Sequence, residues 1–124
     1  MSRIVLNGKI HTARLTQCEL DYEGSLEIDI DLMREAGILP YEKILVVNRR
    51  NGARLETYAI PGEAGSKVFC MNGPAAHQGA PGDVITIMAF AVVDDAVAAV
   101  IEPNVIVLDA NNDIVERKGR KPGY

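Results

Sequence analysis

The residues best placed to do chemistry on this chain are Asp21-Tyr22-Glu23-Gly24-Ser25. A serine hydroxyl can attack the carbonyl just before it and move the acyl group from nitrogen to oxygen. The ester so formed can eliminate to dehydroalanine, which hydrolyses to a ketone on a new N-terminus. Glycine suits position 24 because it has no Cβ to crowd the attack and tolerates strained backbone angles. The same five residues also make an ordinary polar turn between two strands, and Gly-Ser is a common loop dipeptide. The groups elsewhere in the chain must decide between the two readings.

Those groups sit on short apolar runs separated by turn signals at fairly regular intervals, a pattern of a β-rich barrel or sandwich. Residues 3–16 read as one or two strands broken near Asn7-Gly8. Beyond the break Lys9, His11, Ala13 and Leu15 fall on one face by the period of two, which makes Lys9 and His11 neighbours. A solvated lysine and a structural histidine are the plain alternatives. After Ser25, Leu26, Ile28 and Ile30 face one way. Residues 31–37 read as a short helix with an acidic start and a glycine stop, and Pro40 forbids its continuation.

Residues 43–49 form a strand, Asn51-Gly52 is a strong hairpin signal, and the return strand runs over 53–60. On it Arg54, Glu56 and Tyr58 share a face with Thr57 on the other. Joint action of Thr57 and Tyr58 therefore calls for a bend or bulge. A strand over 67–71 leads into Asn72-Gly73-Pro74-Ala75-Ala76-His77. The small residues there let a ligand approach the backbone, and Pro74 fits the start of a short helical turn. A tight connection is the alternative. Strands follow over 84–93 and 105–108, with a short alanine-rich helix capped by Asp94-Asp95 between them. The basic tail 117–121 reads as solvated.

With 124 residues, 48% hydrophobic and 24% charged, the chain is expected to fold as one domain rather than remain disordered. A net charge of -4 argues against a nucleic-acid partner, and basic patches interleaved with aromatics are missing. There is no apolar run long enough to span a bilayer and no secretory signal, so a cytoplasmic location is expected, without a membrane partner. Cys18 and Cys70 read as small buried apolar residues. No metal-ligand spacing, P-loop, dinucleotide fingerprint or nucleophile elbow is present.

Taken together, Gly8-Lys9-Ile10-His11, Tyr22-Glu23-Gly24-Ser25, Asn51-Gly52 with Arg54, Thr57-Tyr58-Ala59-Ile60, Asn72-Gly73 through Ala75-Ala76-His77, and Gly82-Asp83 resemble one family. It is that of the pyruvoyl-dependent aspartate 1-decarboxylases of pantothenate synthesis, and the spacing matches through about residue 110. The resemblance implies a mainly β fold, a six-stranded double-psi β-barrel with short helices. It implies a homotetramer with active sites between subunits, L-aspartate as substrate, and β-alanine and carbon dioxide as products. It also implies self-cleavage into residues 1–24 and 25–124, with room for a maturation factor, and a covalent pyruvoyl cofactor derived from Ser25 without a metal.

By the same resemblance Ser25 is the processing nucleophile, and Thr57 stabilises charge on the Gly24 carbonyl oxygen. Tyr58 donates the proton that replaces the lost carboxylate. Lys9 and Arg54 hold substrate carboxylate, Arg54 in two-pronged fashion. The backbone of Gly73, Pro74 and Ala75 completes the substrate site, with Thr57 beside it, and His11, Tyr22 and Asn72 support it. The chain departs from the family pattern at Pro74, often alanine, and at Thr86, usually aliphatic. An inactive binding or assembly barrel and a pyruvoyl enzyme for another small acidic amino acid are the rival readings.

Overall fold

The computed structural model describes residues 1–119. Nine strands are found among them: β1 (Ser2–Arg14), β2 (Gln17–Glu19), β3 (Ser25–Asp29), β4 (Lys43–Asn48), β5 (Arg54–Gly62), β6 (Phe69–Asn72), β7 (Val84–Asp94), β8 (Asn104–Leu108) and β9 (Ile114–Lys118). Their hydrogen-bonded order is β2-β6-β3-β5-β4-β7-β1-β8-β9. Ile10 of β1, Leu26 of β3, Ile44 of β4, Phe69 of β6, Ile87 of β7 and Ile106 of β8 all meet in one core. The sheet therefore wraps around its own interior, consistent with a β-barrel. Nine strands stand where the family resemblance implied six. The additions include β2 and β9 at the two ends of the order, one only three residues long and the other carrying Glu116, Arg117 and Lys118.

Period-two alternation explains β4 and β7. Ile44, Val46, Ile85, Ile87 and Ala89 point into the core while Leu45, Val47, Thr86 and Met88 stay half-exposed outside. β1 obeys the rule only in pieces. It is one continuous strand that bulges at Asn7, where the pairing passes from Leu6–Phe90 to Gly8–Ala89. A second irregularity follows, from Ile10–Ile87 to Ala13–Ile85, with Thr12 at φ 58° and its hydroxyl donating to the Leu108 carbonyl at 2.6 Å. The bulge reverses the period. Ala13 and Leu15 are buried while Lys9 and His11 face outward, so the four do not share the face expected of them.

The first helix, α1 (Ile30–Glu35), starts at Asp29, whose carboxylate accepts from Asp31 N, and ends before Gly37 at φ 69°. The second, α2 (Asp95–Ala98), is capped by Asp94. The described part of the segment expected to be a solvated tail belongs to β9 through Lys118. Arg117 and Lys118 pair with Ile106 and Val105, and Arg117 Nε donates to Glu35 Oε2 at 2.9 Å. Arg120 and Lys121 lie outside the described residues. No helix among the described residues is long and apolar enough to cross a membrane.

A polar knot fixes the turn that will matter most. A 3-10 turn, Gly73–Gln78, follows β6. Its last carbonyl, that of Gln78, accepts from Asn48 Nδ2 at 3.1 Å and Asn51 Nδ2 at 3.0 Å. Asn48 Nδ2 also donates to Asp83 Oδ2 at 2.8 Å, and Arg50 grips the same carboxylate through Nε at 2.7 Å and Nη2 at 2.9 Å. Ala80 N donates to it at 2.9 Å. The Arg50 contact foremost holds the Asp83 carboxyl well below the usual carboxylate range. Its folded pKa is thus depressed. The stability it contributes is complete above the ordinary value of about 4 and is lost as pH falls below it. Asp83→Ala is expected to lower stability by about 1–3 kcal/mol at pH 7 through the stranded donors. The gap to wild type should narrow between pH 5 and 3 in urea unfolding; a gap independent of pH would contradict this assignment.

Candidate active site

Ser25 opens β3 directly opposite Asn72, the last residue of β6, in an antiparallel pairing that continues Leu26–Met71, Glu27–Cys70 and Ile28–Phe69. Both side chains are buried, Ser25 with 1% of its surface exposed and Asn72 with 2%. The Ser25 hydroxyl donates to the Glu23 carbonyl at 3.1 Å and accepts from Asn72 Nδ2 at 3.1 Å. A polar turn would leave its serine in water; this one is enclosed and doubly hydrogen-bonded.

The chain just before Ser25 is pinned by Gly73. Its φ of 67° suits glycine, and a Cβ added there would lie 2.7 Å from Gly24 N and from the Tyr22 carbonyl oxygen. No such crowding exists at Gly24, where the nearest neighbour of an added Cβ is Pro74 Cδ at 3.9 Å. The glycine forced by close packing is therefore Gly73. Room for a side chain exists at position 24.

Thr57 and Tyr58 reach the same place by an unexpected route. β5 pairs with β4 without any register shift from Lys43–Tyr58 to Val47–Arg54, so no bulge occurs. The parallel pairing of β3 to β5 begins only at Leu26–Ala59. Carried back one and two residues, that register sets Ser25 and Gly24 alongside Tyr58 and Thr57. The β5 edge before Ala59 is left open towards them, and both faces of the strand border the opening. Thr57 lines a recess with Gly24, Pro74, Ala75 and Gln78. Tyr58 lines that recess and a second one with Tyr22, Ser25, Tyr41, Ile60 and Pro61. Tyr41, in a turn at φ 69°, and Pro61, near the end of β5, were not singled out as site residues in the sequence; neither position carries a local signature of the recess it lines.

Lys9, His11 and Arg54 are not brought to these recesses within one chain. Lys9 pairs with Met88, Met88 with Leu45, and Leu45 with Glu56, one row across the outer face of β1, β7, β4 and β5. Arg54, Val47 and Thr86 make the next row. Lys9 thus lies three strand spacings, about 14 Å, from the β5 row. Between the two ends lie the side chains of Leu45, Val47, Thr86 and Met88. Thr86 therefore occupies the middle of this outer face. The His11 imidazole titrates below its ordinary value, first by desolvation and then by Lys9, Lys118 and Arg49. Among the described residues no group of three or more His, Cys, Asp or Glu side chains is placed to hold a metal ion.

Residues 1–115 match the family model described as aspartate decarboxylase. The chain is 53% identical to the aspartate 1-decarboxylase of Moorella thermoacetica, over 99% of its own length and 97% of that protein's. It is 55% identical to that of Syntrophobacter fumaroxidans over 90% of each chain. To that of a Geobacillus species it is 44% identical, over 100% of its own length and 98% of the relative's.

A pair of glycines isolates the close approach from backbone strain. Gly52 has φ 70°, nearly that of Gly73, but nothing lies within 4 Å of an added Cβ. Gly52→Ala is expected to cost only the left-handed penalty of about 1–2 kcal/mol. Gly73→Ala should cost more, because the Tyr22–Gly24 backbone must also move. Equal losses in chemical denaturation would mean that residues 22–24 yield freely.

Proposed function

The chain belongs to the aspartate decarboxylase family, and from that premise we propose that it removes the α-carboxylate of L-aspartate to give β-alanine, using a pyruvoyl group made from its own Ser25. One observation carries the processing step: the Ser25 hydroxyl is enclosed between Asn72 and the Glu23 carbonyl while Gly73 presses on the backbone of Tyr22 and Gly24. In that step Oγ forms a bond to the Gly24 carbonyl carbon, the bond from that carbon to the Ser25 nitrogen breaks, and the hydroxyl proton ends on the nitrogen. The ester then loses the Ser25 Cα proton and the Gly24 carboxylate, and hydrolysis of the remaining enamine releases ammonia. The products are residues 1–24 and residues 25–124 of what began as one folded domain.

The surroundings fit such a group. Its precursor lies at the head of β3, between the recesses bordered by Tyr58, and needs no partner from a metal. When formed, the ketone supplies an electron sink for the carboxylate that leaves. Thr57, beside Gly24, is the residue to stabilise charge on the carbonyl oxygen during processing. Tyr58 delivers a proton to the substrate carbon, with Tyr22 beside it. The backbone of Gly73, Pro74 and Ala75 shapes the far wall, and Asn72 holds the position of the serine.

Lys9 and Arg54 are assigned to the retained carboxylate, with His11 supporting them. Their place on an outer face with apolar side chains between them supports a site completed by a neighbouring subunit, in a homotetramer of six-stranded double-psi barrels. Burying Leu45, Val47 and Met88 against another copy would set such cations at a boundary between subunits. Free Cys18 and Cys70 accord with a cytoplasmic setting. A maturation factor would act at the exposed residues Asp21–Gly24.

Two substitutions test the reading together. Ser25→Ala should fold, stay in one piece and release no carbon dioxide from L-aspartate. Tyr58→Phe should still split but turn over on the order of a hundredfold more slowly. Decarboxylation by Ser25→Ala above background would end the pyruvoyl mechanism, and near-normal turnover of Tyr58→Phe would remove its role as proton donor.

A further inference from the structure

We propose that Cys70 is a positioning residue for Ser25, acting through the side chain of Asn72. Asn72 stands at the head of the 3-10 turn, yet its side chain makes no capping hydrogen bond there. It turns instead to Ser25. The Cys70 thiol donates to Asn72 Oδ1 at 3.2 Å, and Asn72 Nδ2 donates to Ser25 Oγ at 3.1 Å. Ser25 in turn donates to the Glu23 carbonyl, so the bonds run in one direction from thiol to hydroxyl. Cys70 and Asn72 share a face of β6 by the period of two, opposite Glu27 and Ser25 on β3.

A carboxamide can present either end to a neighbour. Flipped, Asn72 would offer Ser25 an acceptor in place of a donor. A donor at Oγ favours the charge that develops there as the hydroxyl loses its proton; an acceptor opposes it. What holds the favourable orientation is a donor facing Oδ1, and the thiol supplies it. Cys70 is buried, 4% exposed, and burial, with lesser help from Glu27, pushes its thiol up to about 11. It therefore keeps its hydrogen at neutral pH. A thiolate or an alkylated sulfur would lose the donor.

This inference rests on the self-cleavage proposed above, and its test reads cleavage directly as fragment mass against time. Cys70→Val keeps apolar bulk and loses the donor; Cys70→Ser keeps a donor and loses bulk. Cys70→Ser should split within about twofold of wild type, while Cys70→Val slows by roughly three- to tenfold, the worth of one buried hydrogen bond. Thermal stability should rank the other way, with Cys70→Val close to wild type and Cys70→Ser below it. A role in packing alone would make rate follow stability.

A second measurement does not depend on the serine variant. In an Asn72→Ala background, Cys70→Val should change the rate of splitting no further, because the link it acts through is gone. Wild-type speed in Cys70→Val, or an unreduced effect of that substitution without Asn72, would overturn the assignment and leave self-cleavage intact. Failure of the wild-type chain to split at all would overturn both.

Discussion

The pairing of Ser25 with Asn72 across β3 and β6 is the constraint on which the candidate site depends. It takes a hydroxyl out of a surface turn, encloses it, and gives it a donor and an acceptor. It also delivers the chain at once into Gly73, whose positive φ bends the backbone against Tyr22 and Gly24. No single bond here is strong. An enclosed hydroxyl with one fixed donor, however, cannot rotate among many orientations, and the entropy of alignment is spent on folding. The knot around Asp83 serves the same end at longer range, because Asn48 and Asn51 hold the far carbonyl of the 3-10 turn that Gly73 begins.

The second constraint is the geometry of the sheet. Parallel pairing of β3 to β5 starts one residue after Ser25, which leaves the Thr57–Tyr58 edge without a strand partner on that side. The candidate groups Ser25, Thr57 and Tyr58 gather where the ladder stops. The cations Lys9 and Arg54 lie at the two ends of outer-face rows, separated by the mostly apolar side chains of Leu45, Val47, Thr86 and Met88. That separation, with Ser25 enclosed inside one chain and the cations spread over its outer face, is the observation behind the proposal of a site completed by a second subunit.

Local signals in the sequence reached the regular parts of the fold. Apolar runs between turn signals placed β4, β5 and β7, Asn51-Gly52 placed the hairpin, and Gly37 marked the end of α1. The misreadings have definite causes. Thr12 takes a left-handed conformation without being glycine, so nothing announced the bulge that reverses β1. The Glu116, Arg117 and Lys118 side chains masked β9, which is an edge strand whose charges face solvent. The candidate catalytic groups were named through the family resemblance and not through periodicity, because the Ser25–Asn72 hydrogen bond and the recess that Ser25 shares with Tyr58 join distant parts of the chain. Cys70 read only as a small apolar residue; its role depends on a neighbour two positions along the same strand and on a serine across the ladder.

Whether this polypeptide breaks its own backbone before Ser25 decides whether a pyruvoyl group can form at all. Intact mass of the purified 124-residue chain, followed through prolonged incubation, measures that directly. The expected result is replacement of the full-length species by two fragments, residues 1–24 and residues 25–124, the larger lacking a free terminal amine. A single unbroken species that persists under all conditions would contradict it.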